Sequence, residues 1–288
     1  CFSTPPNMAE YDTIAVEPHP NDERITRVRL DAPERNNTID LTMLADLHEA
    51  FAAADRDRDV QGILLGSTSD PFCAGADVSE LRNLGFEDGT RWMQLYFDTL
   101  DVLRDTGKPV VAAVDGTCVA GGNELTMACD LVVAGESARF GQPEVGVGSS
   151  AAGGGVQLLP LLVGEKRARE MLLLGELLSA EEAERIGLIN RVVDDDEVED
   201  RAMGLLTRIV DTKSPQAYRA IKGIMKTWTN LGLLAEPMAR DTTASMWASE
   251  EFDERVSAFL ARQEQTPRPF TGTRPDPSAD GSDDGDGE

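Results

Sequence analysis

The sequence predicts an α/β fold of parallel strands covered by helices, and three observations carry that prediction. Short apolar runs such as "VQGILLGS" (60–67) and "PVVAAVDG" (109–116) read as strands buried on both faces. A Gly- or Ala-rich turn and then a helical pattern follow each of them. From about residue 197 onward the pattern is helical only.

Taken in order, "TIAVEP" (13–18) and "ITRVRLD" (25–31) alternate as a hairpin joined by a Pro/Asn/Asp turn. A helix is predicted over 40–57, with Asp40 as N-cap and Leu41, Leu44, Ala45, Leu47, Phe51 and Ala52 on its apolar face. Strand 60–67 leads through "TSDPFCAGAD" to a short helix from Asp77 to Leu84, then to an amphipathic helix over 90–105. Strands follow over 109–116 and 130–135, then a strand end and loop over 138–144. Four helices are predicted over 197–211, 215–229, 233–248 and 250–264. With no strand left to cover, they are expected to form a separate layer or to meet another subunit. The division is a flexible extension (1–9), a catalytic core (10–196), a helical region (197–265) and an acidic tail (266–288) too polar to order itself. Met8 reads as a natural start within the extension.

The 288 residues, 41% of them hydrophobic, suffice for a sizeable core. No run approaches the roughly 18–20 apolar residues of a membrane span, and the first residues lack the basic-then-apolar order of a signal peptide. A cytoplasmic protein is expected. The net charge is −25, from 52 acidic and 27 basic residues spread along the chain, with only five Lys. Without a basic footprint, neither nucleic acid nor an anionic membrane is an expected partner. Such a surface resembles those of proteins from salt-loving organisms, where salt screens the repulsion; an ordinary acidic cytosolic protein is the alternative. Cys1, Cys73, Cys118 and Cys129 have no metal-site or disulfide-framework spacing, so free thiols are expected. His19 and His48 are the only histidines, which disfavours a Ser-His-Asp triad or a His-rich metal site, and no metal ligands are assigned.

The chemistry concentrates in two segments of one design, "ILLGSTSDPFCAGADVSEL" (63–81) and "VVAAVDGTCVAGGNEL" (110–125). Each is a strand, a small-residue turn and a helix start. Glycine lets backbone approach a ligand, and a helix start points unpaired N–H groups outward. Two such turns converging on one point would make an oxyanion hole, where losing one donor costs about 3–4 kcal/mol of transition-state stabilisation. Singly, each also reads as a tight strand–helix connection. Glu124 lies in the first turn of the second helix, where it reads as a helix-dipole partner or as a site carboxylate. Glu144, in "FGQPEVGVGSSAAGGG", reads alone as an exposed loop residue. Two glutamates beside oxyanion donors, with no His, suit proton transfer to and from carbon with water.

"FCAGADVSEL" together with "GGNELTMACDLVVAGESARFGQPEVGVG" resembles the enoyl-CoA hydratase/isomerase (crotonase) superfamily. "APERNNTID" (32–40) and "LLLGELLSAEEAERIGLINRVV" (172–193) extend the resemblance over about residues 10–264. It implies a crotonase-like spiral of ββα units with a C-terminal helical trimerisation region, assembling as a trimer or dimer of trimers. It implies backbone N–H groups of Ala76 and Gly121 as the oxyanion hole, with Glu124 activating water and Glu144 protonating the α-carbon. Ala74, Asp77, Val78 and Gly122 are implied as substrate- or CoA-binding positions. The activity implied is that of a hydro-lyase adding water to a trans-2-enoyl-CoA, as in fatty-acid β-oxidation. No cofactor is implied beyond the CoA thioester substrate itself. The chain departs from the family pattern at Ser150–Gly155, which is similar to relatives acting on cyclic acyl-CoAs, and at Ser79, where a basic residue is frequent. An isomerase or a ring-opening hydrolase is therefore the alternative; a non-catalytic or RNA-binding relative is disfavoured by the two glutamates and the lack of basic patches. Trp92, Met93, Tyr96 and Phe97 share one helix face that either walls the acyl pocket or packs in the core.

Overall fold

The computed structural model describes residues 11–266 and 268. The expected extension (1–9) and nearly all of the expected tail (266–288) lie outside the described residues. The hairpin is β1 (Ile14–His19) against β2 (Asp22–Leu30), with Ile14 opposite Leu30. Asp40 caps α1 (Leu41–Arg56), accepting from the Met43 N–H at 2.8 Å. There follow β3 (Gly62–Ser67), α2 (Val78–Leu81), α3 (Phe86–Asp105), β4 (Val110–Val114), β5 (Thr117–Val119), α4 (Gly121–Ala128), β6 (Leu131–Gly135) and β7 (Arg139–Gly141). After a 3-10 turn at Pro143–Val147 come α5 (Gly155–Val163), α6 (Glu165–Leu174), β8 (Leu178–Ser179), α7 (Ala180–Arg185) and β9 (Arg191–Val193). The chain ends in α8 (Val198–Thr212), α9 (Pro215–Leu233), α10 (Glu236–Trp247) and α11 (Glu250–Leu260).

A six-stranded sheet has the order β1-β2-β3-β4-β6-β9 and is parallel from β2 onward. A smaller sheet has the order β5-β7-β8. The strand predicted over 109–116 is β4 in the large sheet, and β5 follows it directly in the small one. The 138–144 segment is β7 followed by the start of the 3-10 turn. The result is a repeated strand–strand–helix unit: β4, β5, α4, then β6, β7, α5.

On one face of the large sheet, α1 and α3 bury Leu47, Phe51, Phe97, Leu100 and Leu103. The α1 face is rotated from the predicted one. Met43, Leu44, Leu47, Ala50, Phe51 and Ala54 are buried, whereas Leu41 and Ala45 are exposed and Ala52 is half-buried. Those buried residues follow the three-to-four spacing of a helix that covers a sheet along its whole length.

The other face corrects a second expectation. α8 is not stacked apart from the strands. Val198, Ala202, Met203 and Leu206 pack on Ile25, Leu64, Val111 and Val133. The strands demanded this, because β4 is buried at every residue and β3 at all but Ser67, so each needs apolar cover on both sides. The other terminal helices differ. α10 lies against α3, and α11 against α10 and the 3-10 turn. α9 buries no residue and exposes Ile221, Ile224, Met225, Trp228 and Leu231.

Leu206 is fully buried between α8 and the sheet. Leu206→Ala is expected to destabilise the protein by about 2–5 kcal/mol, read as a lower urea midpoint at unchanged slope.

Candidate active site

Two turns meet because their strands pair. The Cys73 N–H donates to the Thr117 carbonyl at 3.1 Å, and the Val119 N–H donates to the Cys73 carbonyl at 3.0 Å. "APERNNTID" joins from the other side: the Ile39 N–H donates to the Gly75 carbonyl and the Asp77 N–H to the Ile39 carbonyl, both at 2.8 Å. Gly75 has φ +94, and a Cβ built on it would lie 2.6 Å from Ala120 Cβ and 3.6 Å from Gly121 N. Only glycine permits that approach. Among the described residues, no carbonyl accepts from the N–H of Ala76 or of Gly121. Two unpaired donors therefore sit on adjoining turns. Ala120 has φ 51, a left-handed conformation that a non-glycine residue holds at a cost of about 1–3 kcal/mol. It is pinned by its N–H to the Gly141 carbonyl at 2.9 Å and by its carbonyl to the Glu124 N–H at 3.0 Å.

Glu124, 4% exposed, is held by a neighbouring helix as well as its own. Its Oε1 accepts from the Gly155 N–H, the start of α5, at 2.8 Å. Its Oε2 lies 3.0 Å from Tyr96 Oη. This arrangement replaces the simple dipole-partner reading: the helix start facing the carboxylate is that of α5. Glycines make it possible. A Cβ on Gly153 would strike Tyr96 and lie 2.6 Å from Glu124 Oε2; one on Gly155 would lie 3.2 Å from Glu124 Oε1. Burial pushes the Glu124 carboxyl up to about 7, against the opposing pull of the Gly155, Tyr96 and Gly153 hydrogen bonds.

Glu144 is no exposed loop residue. It follows β7 in the 3-10 turn, and its Oε2 is buried without a hydrogen-bond partner. Burial, and then the negative charge of Glu124, raise its carboxyl well above the usual range. One glutamate is thus supplied with donors and the other is not. Such unequal environments separate an ionised carboxylate from a protonated one.

Both line a cavity of about 380 Å³. Ala74, Ala76, Asp77, Val78 and Gly121 line it with them, as do Trp92, Met93 and Tyr96. Phe97 and Gly122 do not. Phe97 packs in the core, and Gly122 faces away, where a Cβ would meet Cys73 Cβ at 2.5 Å. Asp77 spends its side chain as the α2 N-cap, accepting from the Ser79 N–H at 2.8 Å. Sequence reasoning missed Trp247 and Phe252, which arrive from α10 and α11, and Phe259 and Leu260 further along α11. It also missed Arg35, the only cation among the described lining residues, which pairs with Asp40 and leaves Nη2 without a partner. The two indoles are fixed by their N–H groups: Trp92 donates to Glu80 at 3.0 Å and Trp247 to Ser149 at 2.8 Å. Neither histidine lines the cavity. Cys73, Cys118 and Cys129 are free thiols.

Residues 21–271 match the enoyl-CoA hydratase/isomerase family model. The chain belongs to that family. Among its relatives is a protein of Rhizobium meliloti (strain 1021) named probable enoyl-CoA hydratase, 34% identical over 255 residues, which are 88% of this chain and 96% of that one. The crotonyl-CoA hydratase of Syntrophomonas wolfei is 31% identical, with the same two coverages. An enoyl-CoA hydratase/isomerase structure from Xanthobacter autotrophicus Py2 superposes with a TM-score of 0.77 at 30% identity, over 89% of this chain and all of that one. At the departure over 150–155, Gly153 lets the loop press on Glu124 and Tyr96.

Gly153→Ala is expected to displace Glu124 and Tyr96 and, with the carboxylate moved within the cavity, to abolish at least about 99% of turnover; steady-state assay of the folded variant checks it. The raised Glu124 carboxyl also has a stability consequence. The folded protein binds this proton more tightly than the unfolded chain, whose carboxyl titrates near 4.5. The stabilisation is full below about pH 4.5 and is lost as the pH rises through about 7. With Glu144→Gln as the background, so that one carboxyl of the pair titrates, adding Glu124→Gln should raise Tm by several degrees more at pH 8 than at pH 5. Thermal melts across that range check the sign.

Proposed function

We propose that the protein hydrates a trans-2-enoyl-CoA to the 3-hydroxyacyl-CoA. The observation that carries this reading is the pair of unequal glutamates facing one cavity beside two unpaired N–H groups. The thioester oxygen accepts from Ala76 and Gly121, which draws electron density from the β-carbon and stabilises the enolate-like charge. Glu124, ionised and held by its donors, takes a proton from water as the water oxygen bonds to the β-carbon. Glu144, protonated, gives its proton to the α-carbon. Water is thereby added whole, and returning the proton from Glu124 to Glu144 resets the pair. Ala74, Asp77 and Val78 form the wall beside the thioester, and Gly122 supports that wall from beneath through Cys73. No metal or redox cofactor enters these steps.

Loss of the conjugated enoyl-thioester absorbance of crotonyl-CoA, followed in high salt, tests the reading. Glu124→Gln and Glu144→Gln should each lower kcat by about 10²–10⁴ with KM little changed. A wild type inactive on linear enoyl-CoAs, or either variant at the wild-type rate, overturns it. The isomerase or ring-opening alternative rests on the 149–155 loop and predicts turnover of a cyclic enoyl- or oxoacyl-CoA in the parallel assay.

Arg35 supplies the cationic charge missing at Ser79. Arg35 lines the cavity, and its Nη2 is buried without a partner, a cation that suits a CoA phosphate. Arg35→Gln is expected to raise KM about tenfold for crotonyl-CoA and to leave KM for crotonyl-pantetheine, which has no phosphate, within about twofold. We also infer a homotrimer or dimer of trimers, supported by the apolar face that α9 leaves exposed, including Trp228 at 64% and Ile224 at 73%. The acidic, Lys-poor composition supports a salt-loving source and a cytoplasmic setting; no described helix is long and apolar enough to cross a membrane.

A further inference from the structure

Tyr96 makes two polar contacts with one proton. Its Oη lies 2.9 Å from the Gly121 carbonyl oxygen and 3.0 Å from Glu124 Oε2. A carbonyl only accepts, and a phenol carries a single O–H, so Tyr96 donates to one of them at a time. Burial, and then the charge of Glu124, raise the phenol well above its ordinary range, so it keeps its proton. When Glu124 is a carboxylate, the phenol O–H points to Oε2. When Glu124 is protonated, the carboxyl O–H donates to Tyr96 Oη, and Tyr96 donates to the Gly121 carbonyl. Both arrangements use the same heavy-atom positions.

We propose that Tyr96 is a positioning residue for the glutamate pair: its O–H keeps Glu124 as the base and Glu144 as the acid, and turns to the Gly121 carbonyl when Glu124 takes a proton. The proposal rests on the hydratase reading above. The groups around Glu124 leave this job to Tyr96. The start of α5 and the loop before it contribute backbone N–H groups, at Gly155 and Gly153. The 3-10 turn contributes Glu144, whose Oε2 has no donor. The segment before α2 contributes Cys73, which faces Tyr96 rather than Glu124, a buried thiol that burial pushes up to about 12. Arg35, the cation on the cavity wall, is engaged with Asp40. Of the side chains that meet Glu124, Tyr96 is therefore the one whose proton can follow its charge. A hydrogen bond to a charged group is roughly twice as strong as one between neutral groups, so the phenol favours the ionised form of Glu124. The ring is held independently, stacked on Trp92 at 5.5 Å with an interplanar angle of 13°. Tyr96→Phe should therefore remove the donor and keep the packing.

The test is an infrared titration of the Glu124 carboxyl stretch in Glu144→Gln protein, with and without Tyr96→Phe. The midpoint is expected to rise by about one pH unit when the hydroxyl is lost. Replacing Tyr96 with a ring-fluorinated tyrosine, a stronger donor of nearly the same shape, should instead lower it. In protein with both glutamates, Tyr96→Phe should move the acid limb of kcat/KM up by about one pH unit, a fall of about tenfold at pH 6, with KM within about twofold. A midpoint unmoved by both replacements overturns the proposal, because a merely structural tyrosine would give that result. The infrared midpoints need no turnover. An inactive wild type with shifted midpoints refutes the hydratase reading alone; an active wild type with unmoved midpoints refutes the role of Tyr96 alone.

Discussion

Glu124 is a carboxylate held out of water, and an unpaired carboxylate there would cost several kcal/mol. Its burial is tolerable only with donors at contact distance, and those come from two other elements: the start of α5 through Gly155 and the face of α3 through Tyr96. Each places a demand on the chain. α5 can begin against Glu124 only if positions 153 and 155 lack a Cβ, and α3 must run close enough for its phenol to reach across. The glycine run at 153–155 and the packing of α3 on α4 are thus consequences of one buried charge.

The two unpaired N–H groups, at Ala76 and Gly121, depend on the same construction. Glu124 belongs to the first turn of α4, and its N–H ties down the carbonyl of the strained Ala120. That strained residue aims the Gly121 N–H toward the cavity, next to Ala76. Paired strands hold Gly75 against Ala120, so neither turn can drift without breaking the small-sheet register. Strain at Ala120 and two unpaired N–H groups thus fall at one point of the fold, and donors fixed in this way would need no reorganisation if charge developed beside them.

The parts of this design that are local were legible in the sequence. The Asp40 cap, the two small-residue turns with Ala76 and Gly121, and the spacing of Glu124 and Glu144 each reside in a few consecutive residues. What escaped depends on partners distant in the chain. The apolar face of α1 was misjudged at Leu41 and Ala45, because periodicity alone does not say where the sheet lies. α8 was set apart from the strands, since Leu206 and Val111 give no sequence sign that they touch. Trp92 and Tyr96 belong to the core and to the cavity wall together, so one helix face serves both. The hydroxyl that distinguishes Tyr96 from an ordinary core aromatic gains meaning only once Glu124 is beside it.

That double membership couples substrate fit to folding. Trp247 closes the cavity from α10, meets Trp92 edge-on at 5.4 Å and donates to Ser149 in the loop that leads to Gly153. Ser150, next along that loop, is bonded to Thr243 of α10 at 2.9 Å. The loop therefore has two fixed sides, Glu124 on one and α10 on the other. A substitution that reshapes the wall at Ser149 or Ser150 must also loosen α10, and one that reseats α10 must shift the N–H groups that hold Glu124. The shape of the cavity is consequently bound to the position of the C-terminal helices, and α10 and α11 are as much a part of its lining as the turns that carry the unpaired N–H groups.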